Sequence, residues 1–170
     1  LSEYYYYEQT VSFEVTGNSP KVYVNGQRLT AEDGVYSFII KANSVILVAD
    51  GSQLSLIYSA NGGTNAPTDE NSYKANSSAT VSNGKPERVG YKFLGWSTNA
   101  NATSAEFTEN QSLTFSSDDV ILYAVWQANA YIVKYNSCGG TGTMPDDTFY
   151  FGTKGALSKN AFQKTGYTFI

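Results

Sequence analysis

The stretch Gly90-Tyr91-Lys92-Phe93-Leu94 returns in altered form as Gly166-Tyr167-Thr168-Phe169-Ile170, displaced by 76 residues. Further upstream, residues 56–64 return as residues 133–141, displaced by 77 residues. Because the two offsets differ by one, the copies share their order and spacing apart from a single insertion. A repeated unit of this length indicates an array of modules rather than one enzyme fold. Such arrays usually present surfaces or act as spacers.

The repeat divides the 170 residues into three small modules. Residues 1–52 are predicted to form an N-terminal β-rich module, residues 53–127 a complete repeat, and residues 128–170 an incomplete second repeat. Alternating apolar residues and turn signals such as Asn25-Gly26 predict short strands joined by hairpins. We therefore expect a mainly β fold, built as tandem small modules in an elongated array.

The second copy reaches Ile170 before it would repeat the apolar run from Val120 to Trp126, which closes the first copy. We interpret the chain as a fragment of a longer protein whose targeting and anchoring elements lie outside it. Without a counterpart of the closing run, residues 131–170 are expected to keep an unpaired strand edge and an uncovered apolar face.

Aromatic residues supply most of the material for the module cores, since the chain has 14 Tyr, 9 Phe and 2 Trp. Only 15 % of its residues are charged, against roughly 25 % in an average soluble domain. This balance is typical of a β-rich extracellular protein with many turns. The net charge of −4 without a basic patch argues against nucleic acid as a partner. The sequence also contains no apolar run long enough to span a membrane.

The repeated aromatic stretch is predicted to be a strand. Strict alternation would place Tyr91 and Phe93 on one face, and Leu94 and Trp96 on the other. Gly95 is expected to leave a gap in which a ring from a neighbouring strand can lie. We predict that Trp96 is a core residue rather than part of a ligand platform.

Three motifs follow one another in the first copy: Gly62-Gly63-Thr64, then Gly90-Tyr91-Lys92-Phe93-Leu94-Gly95-Trp96, then Leu122-Tyr123-Ala124-Val125-Trp126. This pattern resembles the internalin-type B repeat, also called the Listeria–Bacteroides repeat, over about residues 53–170. The resemblance implies a small β-grasp-like unit that occurs in tandem in secreted and cell-surface bacterial proteins. It brings no catalytic residues to this chain, and it names no ligand.

The positions that the resemblance marks are structural ones. The glycine pair of the first motif is expected to permit positive φ at the end of the first strand. Trp126 would end the module. The full set of predicted structural residues is Gly62, Gly63, Gly90, Tyr91, Phe93, Gly95, Trp96 and Trp126.

Candidate catalytic chemistry is sparse, because the chain has no histidine, the commonest general base and metal ligand. The acidic pairs Asp69-Glu70, Asp118-Asp119 and Asp146-Asp147 are interpreted as solvated turns, and none has the spacing of a calcium-binding loop. Cys138, without a histidine partner, is interpreted as structural. The glycine-rich loops lack the lysine and helix of a phosphate-binding loop. We therefore expect no enzyme activity, no cofactor and no metal.

A sugar-stacking platform is the alternative use of the aromatic residues. Candidates for exposed rings are Tyr73, Tyr150 and the run Tyr4, Tyr5, Tyr6 and Tyr7. If that run is a strand, alternation must place two of its rings outward, facing a ligand.

The sequence thus favours a non-enzymatic repeat fragment of a bacterial cell-surface or secreted protein that acts as a stalk or adhesion module. The alternative is a glycan-binding accessory module of a secreted protein. The expected partner is a host or matrix protein, or a glycan, and the expected location is extracellular.

Overall fold

The structure is a computed structural model that describes residues 8–16, 19–40, 46–49 and 53–170. Within these ranges the chain forms strands and turns but no helix, which confirms the predicted mainly β fold. In chain order the strands are β1 (Thr10–Glu14), β2 (Lys21–Val24), β3 (Gln27–Leu29), β4 (Val35–Ile39), β5 (Ile46–Ala49), β6 (Leu56–Ser59), β7 (Ser78–Thr80), β8 (Tyr91–Ser97), β9 (Ser112–Thr114), β10 (Val120–Ala128), β11 (Ala130–Val133) and β12 (Asp147–Tyr150).

The chain packs into two compact units. The first unit comprises Leu1–Val89 and Phe93–Trp126, and the second comprises Gly90–Lys92 and Gln127–Ile170. The module boundaries drawn from the sequence stay predictions, and so do the β-grasp-like topology and the elongated array.

Two small antiparallel sheets form the described part of the N-terminal module. β1 pairs with β4, and β2 lies between β3 and β5. The hairpin between β2 and β3 turns at Asn25 and Gly26, whose φ angles are 51° and 79°. These positive angles suit the Asn-Gly pair that predicted the turn.

The first repeat is built on a three-stranded sheet in the order β6-β10-β8. β6 and β10 run parallel, with Leu56 opposite Val120 and Ser59 opposite Tyr123. Both faces of β10 are covered at its centre, since Leu122 and Ala124 lie in the core and Val125, which points the opposite way, is also buried. This burial explains its continuous apolar sequence. A second sheet pairs β7 with β9 in antiparallel fashion.

The core of the first repeat is aromatic and aliphatic. Trp96 is 1 % exposed, and its ring packs edge-on against Tyr58 at a centroid distance of 4.8 Å and against Phe93 at 5.1 Å. The buried cluster consists of Leu56, Tyr58, Ala79, Val81, Trp96, Leu113, Phe115, Leu122 and Ala124.

The arrangement of Phe93 differs from the expected alternation, because Phe93 and Trp96 pack into the same core. Gly95, between them, has a φ of 138°, which only glycine adopts readily and which interrupts the regular pleat. The prediction that Gly95 leaves a gap for a ring of a neighbouring strand is also wrong. A Cβ there would lie 2.6 Å from the carbonyl oxygen of Phe107 and 2.7 Å from the Ala105 side chain.

In residues 128–170, all of which the structure describes, β11 pairs with β12 and Thr141 forms an isolated bridge with Gln163. No residue of this range is among the buried apolar residues. Its large apolar side chains are exposed at Tyr131, Ile132, Tyr150, Phe151, Leu157, Tyr167, Phe169 and Ile170.

Candidate functional site

The two glycines of the first turn serve different purposes. Gly62 has a φ of 87°, as expected for a turn glycine, but Gly63 is not among the residues with positive φ. Gly63 instead permits close approach, because a Cβ there would lie 2.5 Å from the Glu87 carbonyl oxygen and 2.7 Å from the Trp126 ring. The Trp126 indole N–H donates to the Ala60 carbonyl at 3.0 Å, which fixes the ring over the turn.

The second copy reproduces this turn. A Cβ at Gly140 would lie 2.6 Å from the Gln163 carbonyl oxygen, as one at Gly63 would from that of Glu87. Gln163 and Thr141 exchange two backbone hydrogen bonds of 2.7 and 2.9 Å. The Lys164 ammonium donates to the Cys138 carbonyl at 3.3 Å. Equivalent contacts in both copies identify the turn as the shared scaffold of the repeat.

A glycine of the second motif also makes room for an aromatic ring. Gly90 has a φ of 78°, and a Cβ at this position would overlap the ring of Phe151. The same ring packs edge-on against Tyr91 at a centroid distance of 5.6 Å. All three residues belong to the second compact unit.

What differs between the copies is exposure. Val81 is fully buried in the first copy, whereas Leu157, its counterpart in the second, is 60 % exposed. Phe93 packs against the first core, whereas its counterpart Phe169 is 75 % exposed. The second repeat contains an open depression of about 770 Å³, which is lined by residues 137–141, 162–165 and 167–169.

Asp119 is the main electrostatic feature of the first unit, and its interpretation as a solvated turn residue was wrong. Its carboxylate accepts hydrogen bonds from the Lys21 ammonium at 3.1 Å, from the Ser55 amide at 2.8 Å and from the Tyr23 hydroxyl. Its side chain is only 9 % exposed. Partners that lie 64 to 98 residues away in the chain make this a long-range contact that the local sequence does not reveal.

These contacts shift the pKa values of the partners in opposite directions. Burial would raise the pKa of Asp119, but the hydrogen bonds from Tyr23, Lys21 and Ser55 outweigh it and hold the pKa below its usual value. Burial, with the adjacent carboxylate, raises the pKa of Tyr23. The carboxylate and the phenol are therefore held in their charged and neutral forms respectively at neutral pH.

Comparison with known proteins identifies the repeat. The sequence model of the Listeria–Bacteroides repeat domain family matches residues 55–125 and 131–170. The chain belongs to this family. A protein of Evansella cellulosilytica named "Putative membrane protein" is 31 % identical over 113 residues, which are 66 % of this chain and 16 % of that protein. The chain therefore spans about one sixth of this relative's length, and no solved structure gives a significant match.

Membership of the Listeria–Bacteroides repeat family is consistent with a repeat region of a surface-associated protein. The residues that the structure describes include no helix long and apolar enough to cross a membrane. They also include no group of three or more acidic, cysteine or histidine residues arranged to hold a metal ion.

Two other acidic residues of the repeats bind tyrosines and are not free turn residues either. Asp69 accepts from the Tyr73 hydroxyl at 2.8 Å, and Asp147 accepts from that of Tyr135. Burial, together with the Asp69 carboxylate, raises the pKa of Tyr73 to about 12. The Tyr73 ring stacks on Phe115 at a centroid distance of 4.5 Å, so it is partly buried against the core and is not an exposed platform.

The remaining aromatic candidates lie in different places. Tyr150 is 53 % exposed. Tyr4, Tyr5, Tyr6 and Tyr7 lie outside the described residues, so their role as ligand-facing rings stays a prediction. Cys138 is exposed at the surface of the second repeat, with a φ of 48°.

Proposed function

We propose that this chain is a non-enzymatic repeat region of a bacterial surface protein, and that its repeats act as a stalk that presents an adhesive face. The observation that carries the proposal is the recurrence of one turn scaffold in two tandem repeats. Gly63 and Gly140 make equivalent close approaches, and each turn is closed by the same pair of backbone hydrogen bonds. Tandem repeats usually present surfaces or act as spacers.

The chemistry of the chain supports a binding role. The side chains with shifted pKa values are tyrosines and carboxylates, and each is held by hydrogen bonds within the fold, such as Tyr23 by Asp119, Tyr58 by Ser82 and Glu106 by Thr98. The chain has no histidine. Perturbed groups at a catalytic site would be expected to converge on a pocket rather than to join strands and turns.

We place the proposed adhesive face at the turn of the second repeat, where Lys164 and Tyr167 lie side by side. The Lys164 ammonium lies 4.7 Å from the centre of the Tyr167 ring, which adds a positive charge beside the aromatic surface. A protein partner with exposed apolar side chains and an acidic group would match this combination. A host or matrix protein is the partner we propose.

The test is binding of the full chain to an array of purified extracellular-matrix proteins and glycans. We expect a matrix protein to bind, and Tyr167→Ala to weaken that binding about tenfold, since aromatic anchors carry much of an interface energy. Thr165→Ala, in the same depression, is the control and should bind as the parent does. Absence of any protein ligand, or equal binding by Tyr167→Ala, would contradict the proposal.

Glycan binding is the second candidate, and the exposed Tyr150 and Tyr167 rings favour it, because tyrosine offers both a stacking face and a hydroxyl group. On the same array, a glycan ligand whose binding is lost in Tyr167→Ala and kept in Tyr167→Phe would support a stacking platform. Binding to matrix proteins alone would favour the adhesion module.

A further inference from the structure

Both faces of strand β6 are buried. Leu56 and Tyr58 face the aromatic core of the first repeat. Ser55, Ile57 and Ser59 alternate with them and are only 7 %, 3 % and 5 % exposed, although none of the three belongs to that core. Since successive side chains of a strand point to opposite faces, a second element must cover these three residues.

The covering element is the β2 segment of the N-terminal module. At one end, the Ser59 hydroxyl donates to the Asn25 carbonyl at 2.8 Å. A Cβ at Gly26 would lie 2.6 Å from the Cβ of Ser59, so the tip of the hairpin rests directly on the repeat. At the other end, the Lys21 ammonium donates to the Gln53 carbonyl at 2.8 Å and to Asp119.

β2 is itself buried on both faces, which fits a strand placed between two modules. Val22 and Val24 are 0 % and 8 % exposed, and Tyr23, which points the opposite way, is 2 % exposed. The Tyr23 hydroxyl donates to Asp119 of the repeat. Thus Lys21 and Tyr23 share one face of β2, and both reach the same carboxylate.

The second repeat differs from the first at two positions of this face. At the position of Ile57 it has Lys134, and at the position of Ser59 it has Asn136, both exposed. A lysine at the centre of a buried apolar contact would lose its hydration without a partner. The two copies therefore share their turns but differ at the residues that would receive a second module.

We propose that Ser55, Ile57, Ser59 and Asp119 form a docking surface on the first repeat, and that its occupant is the N-terminal module of the same chain. The occupant is recognised by Lys21, Tyr23 and the Asn25-Gly26 turn. Ile57 is the specificity-determining residue, and Lys134 at the equivalent position excludes such a module from the second repeat. This inference concerns which module packs on which repeat, and it does not depend on the proposed adhesive function.

Hydroxyl-radical footprinting of the full chain tests the proposal. Trypsin cleaves after Lys21 and Arg28, so oxidation of Tyr23 is measured in a peptide that contains no other tyrosine. We expect Ile57→Lys to raise Tyr23 oxidation about fivefold by opening the contact locally. The fluorescence of Trp96 and Trp126 should stay native, because the opposite face of β6 is untouched. Lys134→Ile is the matched control and should leave Tyr23 protected.

A glycine pair gives a second test that leaves the repeat sequence unchanged. Gly26 and Gly34 have nearly equal φ angles of 79° and 81°, but a Cβ at Gly34 would meet nothing within 4 Å. Alanine at either position carries the same backbone strain, and only Gly26→Ala also collides with Ser59. We expect Gly26→Ala to raise Tyr23 oxidation about fivefold over Gly34→Ala.

The outcomes are decisive in both directions. Equal Tyr23 protection in Gly26→Ala and Gly34→Ala would overturn the docking surface, whatever Ile57→Lys does. If Ile57→Lys alters the tryptophan fluorescence, the glycine pair alone decides. Raised oxidation in Gly26→Ala with Tyr23 still protected in a natively fluorescent Ile57→Lys would reject Ile57 as the specificity residue.

Discussion

Replacing Gly63 by alanine should destabilise the first repeat strongly, although the change adds only one methyl group. The new Cβ would lie 2.5 Å from the Glu87 carbonyl oxygen, 2.7 Å from the Trp126 ring and 3.2 Å from the Ala60 carbonyl oxygen. Two of these neighbours are backbone atoms, which cannot rotate away as a flexible side chain would. The third is a ring held by its own hydrogen bond to Ala60.

The size of the effect follows from the contacts that must give way. Glu87 and Thr64 exchange two hydrogen bonds of 2.8 and 2.9 Å, and each contributes about 0.5–1.5 kcal/mol. Overpacking against the Trp126 ring costs about 1–3 kcal/mol. Alanine recovers about 0.4–1 kcal/mol through the lower entropy of the unfolded chain. The free energy of unfolding should therefore fall by about 2–4 kcal/mol, which lowers Tm by roughly 10 °C in a unit of this size.

Thermal unfolding followed by tryptophan fluorescence measures this effect, since both tryptophans lie in the first repeat. Trp126→Phe shortens the ring and removes the atom nearest to the new methyl group. In the Gly63→Ala background it should therefore cost less than it does alone, with a coupling energy of about 0.5–2 kcal/mol. A Gly63→Ala variant that melts within about 2 °C of the parent would refute the close-approach argument.

The strands were predictable because their signals are local. The alternation of Val11 and Phe13 marks β1, that of Val22 and Val24 marks β2, and the Asn25-Gly26 pair marks the first hairpin turn. The short strand β3 carries two exposed residues, so its sequence has no apolar alternation to detect. It exists because β2 offers it a partner across the turn.

Long-range packing was not predictable from the same signals. Nothing near Asp119 in the sequence distinguishes it from Asp118, yet one is held by three partners and the other is exposed. Likewise, the shared core of Phe93 and Trp96 depends on the φ of Gly95, which alternation alone does not give. In both cases a contact across the fold decides what the local pattern leaves open.

One feature of the sequence indicates the docking surface, namely a difference between the two repeats on one face of β6. Aligned at the offset of 77 residues, Ile57 stands opposite Lys134, although the flanking turns agree. A face that is apolar in one repeat and charged in another indicates that the two repeats have different neighbours. This difference is found when the two repeats are compared one strand face at a time. A comparison of the motifs that they share does not include it.

The remaining predictions concern the core, the absence of catalysis and pH. Trp96→Ala should lower the free energy of unfolding by about 3–5 kcal/mol, measured by denaturant unfolding, and a change under about 1 kcal/mol would contradict its core role. A broad screen for hydrolase, transferase and redox turnover should find none, and activity abolished by one acidic-residue substitution would reverse this. Finally, acid should loosen the docked N-terminal module. Because the pKa of Asp119 is depressed in the folded chain, its stabilisation is present above the ordinary aspartate pKa and is lost as pH falls through the folded value. Asp119→Asn should flatten the dependence of Tm on pH between about pH 5 and pH 2, whereas Asp118→Asn should retain it. Identical pH profiles for the two variants would show that the carboxylate does not hold the modules together.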